Sequence, residues 1–318
     1  MLYRELGRTG LRVSQLGMGT GGHDPLGQRS GCGEQEMHGL LHRAFDLGIN
    51  VFDTSPGYLD SERILGRALK SLPRDEFVVS SKIPLAVGAE SAEIQVMNPQ
   101  QVVQSVESSL RRLQLSKLDI LLIAVADLGA YDQVMNEHLP VLDELKQQGK
   151  IGFLGSSELS RSDGNHQWLQ KVLPTGVVDV AMVAHNMINQ SAQRRVFPYC
   201  SENHIGVLNV FTVRNLFWNP ARLSEVVGDL KQRGQLGPQV DENSPLDWLL
   251  EDGQVDTLVD AAYRFAAFTE PVSTVMCGTL RTDELAQNVA SLQKGPLSAD
   301  KLTRLRQMFG HITEAIGN

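Results

Sequence analysis

The chain has 318 residues, 42% hydrophobic and 21% charged, with a formal net charge of −8. An acidic balance without clustered Lys and Arg excludes a non-specific binder of nucleic-acid backbone. The longest apolar run, Ile120 to Ala126, is too short to cross a bilayer. The start, "MLYRELGRTG", is charged from Arg4 and lacks an apolar signal core. Three dispersed cysteines, Cys32, Cys200 and Cys277, show no Cys-x-x-Cys spacing. They read as reduced thiols of a cytoplasmic protein, with neither a disulfide frame nor a zinc site. His38 and His42 lie one helical turn apart, but no third ligand is near, so no metal is expected and the pair reads as a solvated helix face.

In chain order, a hairpin-like start over Tyr3–Val13 precedes eight strand candidates: Gln15–Gly19, Asn50–Asp53, Phe77–Lys82, Leu118–Ala124, Ile151–Ser157, Val178–Val183, Gly206–Phe211 and Val272–Cys277. They are near-continuous aliphatic runs, as expected of strands covered on both faces. Helix candidates between them include Glu34–Leu47, Ser61–Ser71, Pro99–Leu113, Tyr131–Gln148 and Asp256–Ala267. Val102, Val106, Leu110 and Leu113 show the helical spacing. Alternation of this kind predicts an α/β protein, a (β/α)₈ TIM barrel occupying residues 1–318 as a single domain. A doubly wound sheet is the runner-up, but "GMGTGG" does not open a helix as a dinucleotide fingerprint does. Ile83–Asn98 and Arg214–Gln254 read as long irregular loops on the face where barrel sites are built.

Asp53 and Lys82 then stand at the ends of consecutive strands, with Tyr58 in the loop after the first. The stretch "GINVFDTSPGYLDSERILGRAL" resembles the signature of the aldo-keto reductases. So do "LGMGTG", "LDILLIAVAD", "GFLGSSE", "AHNMIN" and "GTLRTDELAQN", which together cover nearly the whole chain. The resemblance implies an NAD(P)-dependent oxidoreductase acting on a small carbonyl or alcohol substrate, with Asp53, Tyr58 and Lys82 catalytic. Hydride addition to a carbonyl creates an alkoxide that needs a proton. A free phenol, with a pKa of about 10, is a poor acid at neutral pH, and a neighbouring ammonium corrects this. Lys82 is expected to be that ammonium and Asp53 its anchor.

The pattern then departs. In the family the fourth strand ends in a histidine that orients the substrate carbonyl; here Ala124 stands in its place. His23 and His185 are the candidate substitutes. For the cofactor, the resemblance implies contacts from Gly19, Thr20 and Gly21 and from Ser157, Glu158 and Met182, where the family uses Ser, Asn and Gln around the carboxamide. Phe211, Thr212 and Arg214 follow the seventh strand. Gly278, Thr279, Arg281, Gln287 and Asn288 hold the dinucleotide's far end, where a helix opens near Thr282. Family habit inclines the expectation to NADP, bound through Arg281, with NAD possible, although Glu284 stands where many members carry arginine. Phe217, Trp218 and Trp248 are candidates for an apolar substrate pocket. Two other functions remain open: a cofactor-binding regulatory or interaction protein with little turnover, and a lyase or isomerase using Tyr58 and Lys82 as an acid–base pair.

Overall fold

The structure, a computed structural model, describes residues 1–87, 95–125, 128–158 and 163–313. Its strands are β1 (Tyr3–Glu5), β2 (Arg12–Ser14), β3 (Leu16–Gly19), β4 (Val51–Asp53), β5 (Val78–Val87), β6 (Gln95–Val96), β7 (Leu118–Val125), β8 (Ile151–Ser157), β9 (Val180–Ala184), β10 (Gly206–Val210) and β11 (Val272–Cys277). Parallel pairing runs β4-β3-β11-β10-β9-β8-β7-β5, and a β4–β5 pairing closes the circle. This closed barrel of eight parallel strands excludes the open doubly wound sheet. A closed parallel sheet leaves no edge and needs helices outside it.

The inward-facing residues explain the sequence pattern. Val51, Val78, Ile120, Leu122, Val180, Met182 and Leu208 form one buried cluster inside the barrel, joined by Leu6 and Val13 from the N-terminal hairpin. β1 and β2 pair antiparallel and plug the bottom of the barrel. Residues of opposite parity, such as Val79, Leu121, Leu154 and Val207, join the outer core beneath the helices. Period-two alternation of the strands thus separates two apolar environments.

Helices begin where the local chemistry permits. Over Pro99–Leu113, Asn98 caps the first turn by accepting from the Gln101 N–H at 2.9 Å, and Pro99 opens the helix. The expected helix over Tyr131–Gln148 is interrupted. Val134–His138 form a π turn, in which the Leu139 N–H reaches back to Val134. Pro140, at the start of the following Leu139–Gln147 segment, lacks the N–H that a continuous α ladder requires.

Two of the expected loops prove partly regular. β5 continues to Val87 and returns through β6, its antiparallel partner, in place of a loop from Ile83. Residues 88–94 of that stretch lie outside the described residues. The stretch Arg214–Gln254 contains a helix over Pro220–Gln232, capped by Asn219, whose Leu223, Val227 and Leu230 enter a second core. Gly228 and its polar neighbours had obscured that apolar stripe. No helix among the described residues is long and apolar enough to cross a membrane, and no group of three or more His, Cys, Asp or Glu among them is arranged to hold a metal.

Candidate active site

The barrel's apolar fill stops one layer below its C-terminal mouth, where a charged group replaces it. Asp53 ends β4 and pairs in register with Ser80 of β5. Ser80 donates its hydroxyl proton to Asp53 Oδ1 at 2.7 Å. Lys82, the next inward residue on β5, donates from Nζ to Asp53 Oδ2 at 2.6 Å and to the Thr54 carbonyl at 3.0 Å. Asp53 is 5% exposed and Lys82 9%. Burial alone draws the Lys82 pKa down, but the charge of Asp53, followed by Tyr58, outweighs it and leaves it above its ordinary value. Lys82 is therefore a cation at neutral pH, held in one place by two acceptors.

Tyr58 lies in the loop after β4. Its backbone N–H donates to the Ser55 carbonyl at 3.1 Å, and its carbonyl accepts from Ser61 N–H at 3.0 Å. The ring centroid is 4.9 Å from Lys82 Nζ. The opposite support is Gly21: a Cβ there would lie 2.4–2.5 Å from the phenol carbons. A side chain at Gly21 would displace the ring, so glycine is what lets the phenol rest against the β3 loop. The three residues separated in sequence thus form one contiguous acid–base group, with a carboxylate, an ammonium and a half-buried phenol in order.

Ala124 faces inward on β7, in register with Pro84 on one side and Ser157 on the other. Ser157 pairs in turn with Met182, and Met182 with Leu208. Met182 is buried within the barrel and offers only apolar contact. Glu158 turns the other way. Its Oε2 is 2.6 Å from His166 Nδ1, and its Oε1 accepts from the Ala184 N–H at 2.7 Å. His166 Nε2 in turn bonds Ser191 Oγ at 2.7 Å. Burial raises the Glu158 pKa, against the opposing pull of His166. Both carboxylate oxygens are thus occupied inside the protein. His166 and Ser191 carried no sequence signal, because only the folded chain brings them to Glu158.

Of the two candidate substitutes, His185 is enclosed in the core. It is fully buried between the rings of Phe197 and Phe265, at centroid distances of 5.2 and 5.1 Å. Its burial lowers its pKa to about 3, so it is neutral and enclosed. His23 is exposed in the loop after β3, two positions past Gly21. His42 of the other pair contacts the Ala68 carbonyl at 2.8 Å. After β10, Phe211 and Arg214 both adopt left-handed backbone, with φ of 62° and 54°, a conformation that costs a bulky residue about 1–3 kcal/mol and clusters at functional sites. The Arg214 guanidinium stacks 3.3 Å from the Phe211 ring centroid. Thr212 donates to Asn209 Oδ1 at 2.7 Å, and Asn209 Nδ2 ties the ends of β9 and β10 together. Asn209 was missed by sequence reading because it resembles an ordinary strand residue. Phe217 is buried in the second core with Trp248 packed against it, whereas Trp218 is 62% exposed.

Two strands round the mouth from β4, Gly278 and Thr279 follow β11, and a helix spans Thr282–Gln293, opening where expected. Arg281 precedes it and is engaged by two acids: it binds Asp283 through Nε at 3.2 Å and through a terminal nitrogen at 2.6 Å, while Glu284 lies at 3.3 Å. The Thr279 hydroxyl donates to Glu284. Asn288 is buried and directs Nδ2 to Cys277 Sγ at 3.3 Å, whereas Gln287 is exposed.

The residues around the mouth fit a dinucleotide. Thr20 and Thr54, at the ends of β3 and β4, bury hydroxyls that have no hydrogen-bond partner among the described residues. Beside Gly278 there is open space, and a helix N-terminus follows it, a favourable place for an anion.

The description "Aldo/keto reductase family" matches residues 15–309. L-galactose dehydrogenase of Arabidopsis thaliana is 30% identical over 300 residues, covering 91% of this chain and 87% of that protein. NADH-specific methylglyoxal reductase of Escherichia coli K12 is 24% identical, covering 95% of this chain and 97% of that protein. The holo form of an aldo-keto reductase from Bacillus halodurans superposes with a TM-score of 0.75, covering 100% of this chain and 98% of that one at 22% identity, a likeness of fold. With a barrel of the right closure and a match over nearly its full length, this chain belongs to the aldo/keto reductase family and is an oxidoreductase of that type.

Proposed function

We propose that the protein interconverts an alcohol and a carbonyl compound at the barrel mouth, with Tyr58 as the proton donor or acceptor. The single observation that carries this reading is the buried Asp53–Lys82 pair beside the Gly21-supported phenol. A bound nicotinamide supplies or takes the hydride. Tyr58 delivers a proton to the developing alkoxide, or removes it in the reverse direction. Lys82, already cationic, lowers the cost of the phenolate that remains. Asp53 holds the ammonium in place, and Ser80 holds Asp53.

Thr20, Gly278, Thr279 and the helix at Thr282 are the chain's contributions to binding the dinucleotide. Its adenosine end is read here as that of NAD in preference to NADP. Arg281, the residue expected to bind NADP, faces Asp283 and Glu284, so a 2′-phosphate would meet more acid than base. The E. coli relative, an NADH-specific reductase, is in keeping with this preference. Ala124 leaves space where the family's imidazole stands, and we read that space as room for a substrate larger than a simple aldehyde. The test is a single-turnover experiment with 4-nitrobenzaldehyde and reduced nicotinamide, following cofactor oxidation by absorbance. Oxidation that disappears in Tyr58→Phe supports the reading; unchanged oxidation in that variant overturns it. The missing histidine also favours a second reading, a cofactor-binding protein with little turnover. Tight binding of NADH without oxidation in the same experiment would select it.

A further inference from the structure

We infer that Ser157 supplies the hydrogen bond to the substrate carbonyl that Ala124 cannot make. This rests on the oxidoreductase reading above and identifies which side chain completes that site. The residues in register around Ala124 are Pro84 on β5, Ser157 on β8, then Met182 on β9 and Leu208 on β10. Ser157 is the one of these four whose side chain carries a polar hydrogen.

Its direction is fixed from both sides. Ser156, its neighbour of opposite parity, faces outward, accepting from Trp168 Nε1 at 2.7 Å and donating to the Ile123 carbonyl at 3.4 Å. Gly155, of the same parity as Ser157, lies against the interior side chain of Leu122. Ser157 therefore projects into the barrel beside the alanine methyl, one inward position beyond the layer that pairs Lys82, Leu122 and Gly155. Its hydroxyl makes no hydrogen bond to any described residue. Lys82 has two acceptors already, and the hydroxyls of Ser80 and Thr212 are donated to Asp53 and Asn209.

A hydroxyl has one proton and two lone pairs. Ser157 can accept from a carboxamide –NH₂ and still donate to a carbonyl oxygen, so a contact with cofactor does not exhaust it. With an imidazole at position 124, the carbonyl would be held on that side. With alanine there, the carbonyl can move toward β8 and meet the serine. The proton transferred in the reaction still comes from Tyr58; Ser157 keeps its own proton and donates a hydrogen bond only.

The experiment is a double-mutant cycle on the full chain, measuring kcat for 4-nitrobenzaldehyde reduction at saturating cofactor. Wild type, Ser157→Ala, Ala124→His and the double variant are compared, with NADH binding followed by protein fluorescence as a check on folding. Ser157→Ala is expected to lower kcat by about 10²-fold, the typical effect of one oxyanion donor, and Ser157→Thr, which keeps a hydroxyl, to restore most of it. In the Ala124→His background the same change should cost only a few-fold, because the imidazole makes the serine redundant. An undiminished kcat in Ser157→Ala overturns the assignment. So does an equal loss in both backgrounds, which would mean a purely structural or cofactor-holding role. Absence of any wild-type reduction overturns both this assignment and the oxidoreductase reading beneath it.

Discussion

The Asp53–Lys82 and Arg281–Asp283 pairs both stand at the barrel mouth and have the same donor–acceptor distance, 2.6 Å. Their surroundings differ. Asp53 and Lys82 are buried and share their charges with Ser80 and the Thr54 carbonyl. Arg281 is two-thirds exposed, at 66% of its side-chain surface. In the interior, attraction is strong and an unpaired charge is costly. At the surface, solvent and salt screen the pair and its partners exchange readily. Equal distance therefore yields a fixed charge pair in the interior and an adjustable charge balance at the surface.

The comparison is tested most severely by Lys82→Met. It leaves Asp53 charged, buried and without its cation, so a stability loss of about 3–5 kcal/mol is expected, together with loss of turnover. Chemical denaturation measures the first and steady-state kinetics the second. A companion pH series fixes the sign. The Lys82 pKa is raised above its model-compound value of 10.5. Its stabilising contribution is thus fully present below pH 10.5 and declines as pH rises through the folded-state value. A wild-type stability that shows no more alkaline decline than Lys82→Met would mean the pair is not coupled to folding.

Tyr58→Phe should leave stability nearly unchanged, since the ring keeps its contact with Gly21. It should lower kcat by about 10²–10⁴-fold, the usual contribution of a general acid. Combining it with Lys82→Met should slow turnover little beyond the worse single variant, because the two act as a unit. Multiplicative losses in that double variant would show that they act separately.

Ala124→His probes the barrel interior between β5 and β8. Reduction of a small aldehyde should rise, by up to about 10²–10³-fold, while a bulky aldehyde should be turned over less well than by wild type. Gain on both substrates would argue against the space being reserved for size. The smallest effect belongs to the exposed pair. Removing Asp283 and Glu284 together frees Arg281 and should shift the NADPH-to-NADH affinity ratio a few-fold toward NADPH, most visibly at low salt. An unmoved ratio would take Arg281 out of cofactor discrimination.

What the sequence by itself determined was everything carried by local pattern. Aliphatic runs separated by 3.6-period stretches indicated eight β-then-α units, and the spacing of Val102, Val106, Leu110 and Leu113 marked the helix over Pro99–Leu113. The order Asp53, Tyr58, Lys82 at strand ends named the residues that the structure brings together. Tertiary structure decided whatever depends on partners distant along the chain. β5 ran on into a hairpin because β6 was there to pair with it, and the helix over Pro220–Gln232 formed because the second core accepts its apolar stripe. Glu158 and Ser157, adjacent in sequence, were separated by strand parity: the carboxylate went outward to His166, and the hydroxyl inward beside Ala124. Arg281 kept its position at a helix opening, but the turn of Asp283 and Glu284 toward it exists only in the folded chain. Periodicity is local and one-dimensional, whereas a charge's value and a side chain's neighbour are set by burial and by strand register, which exist only after the barrel has closed.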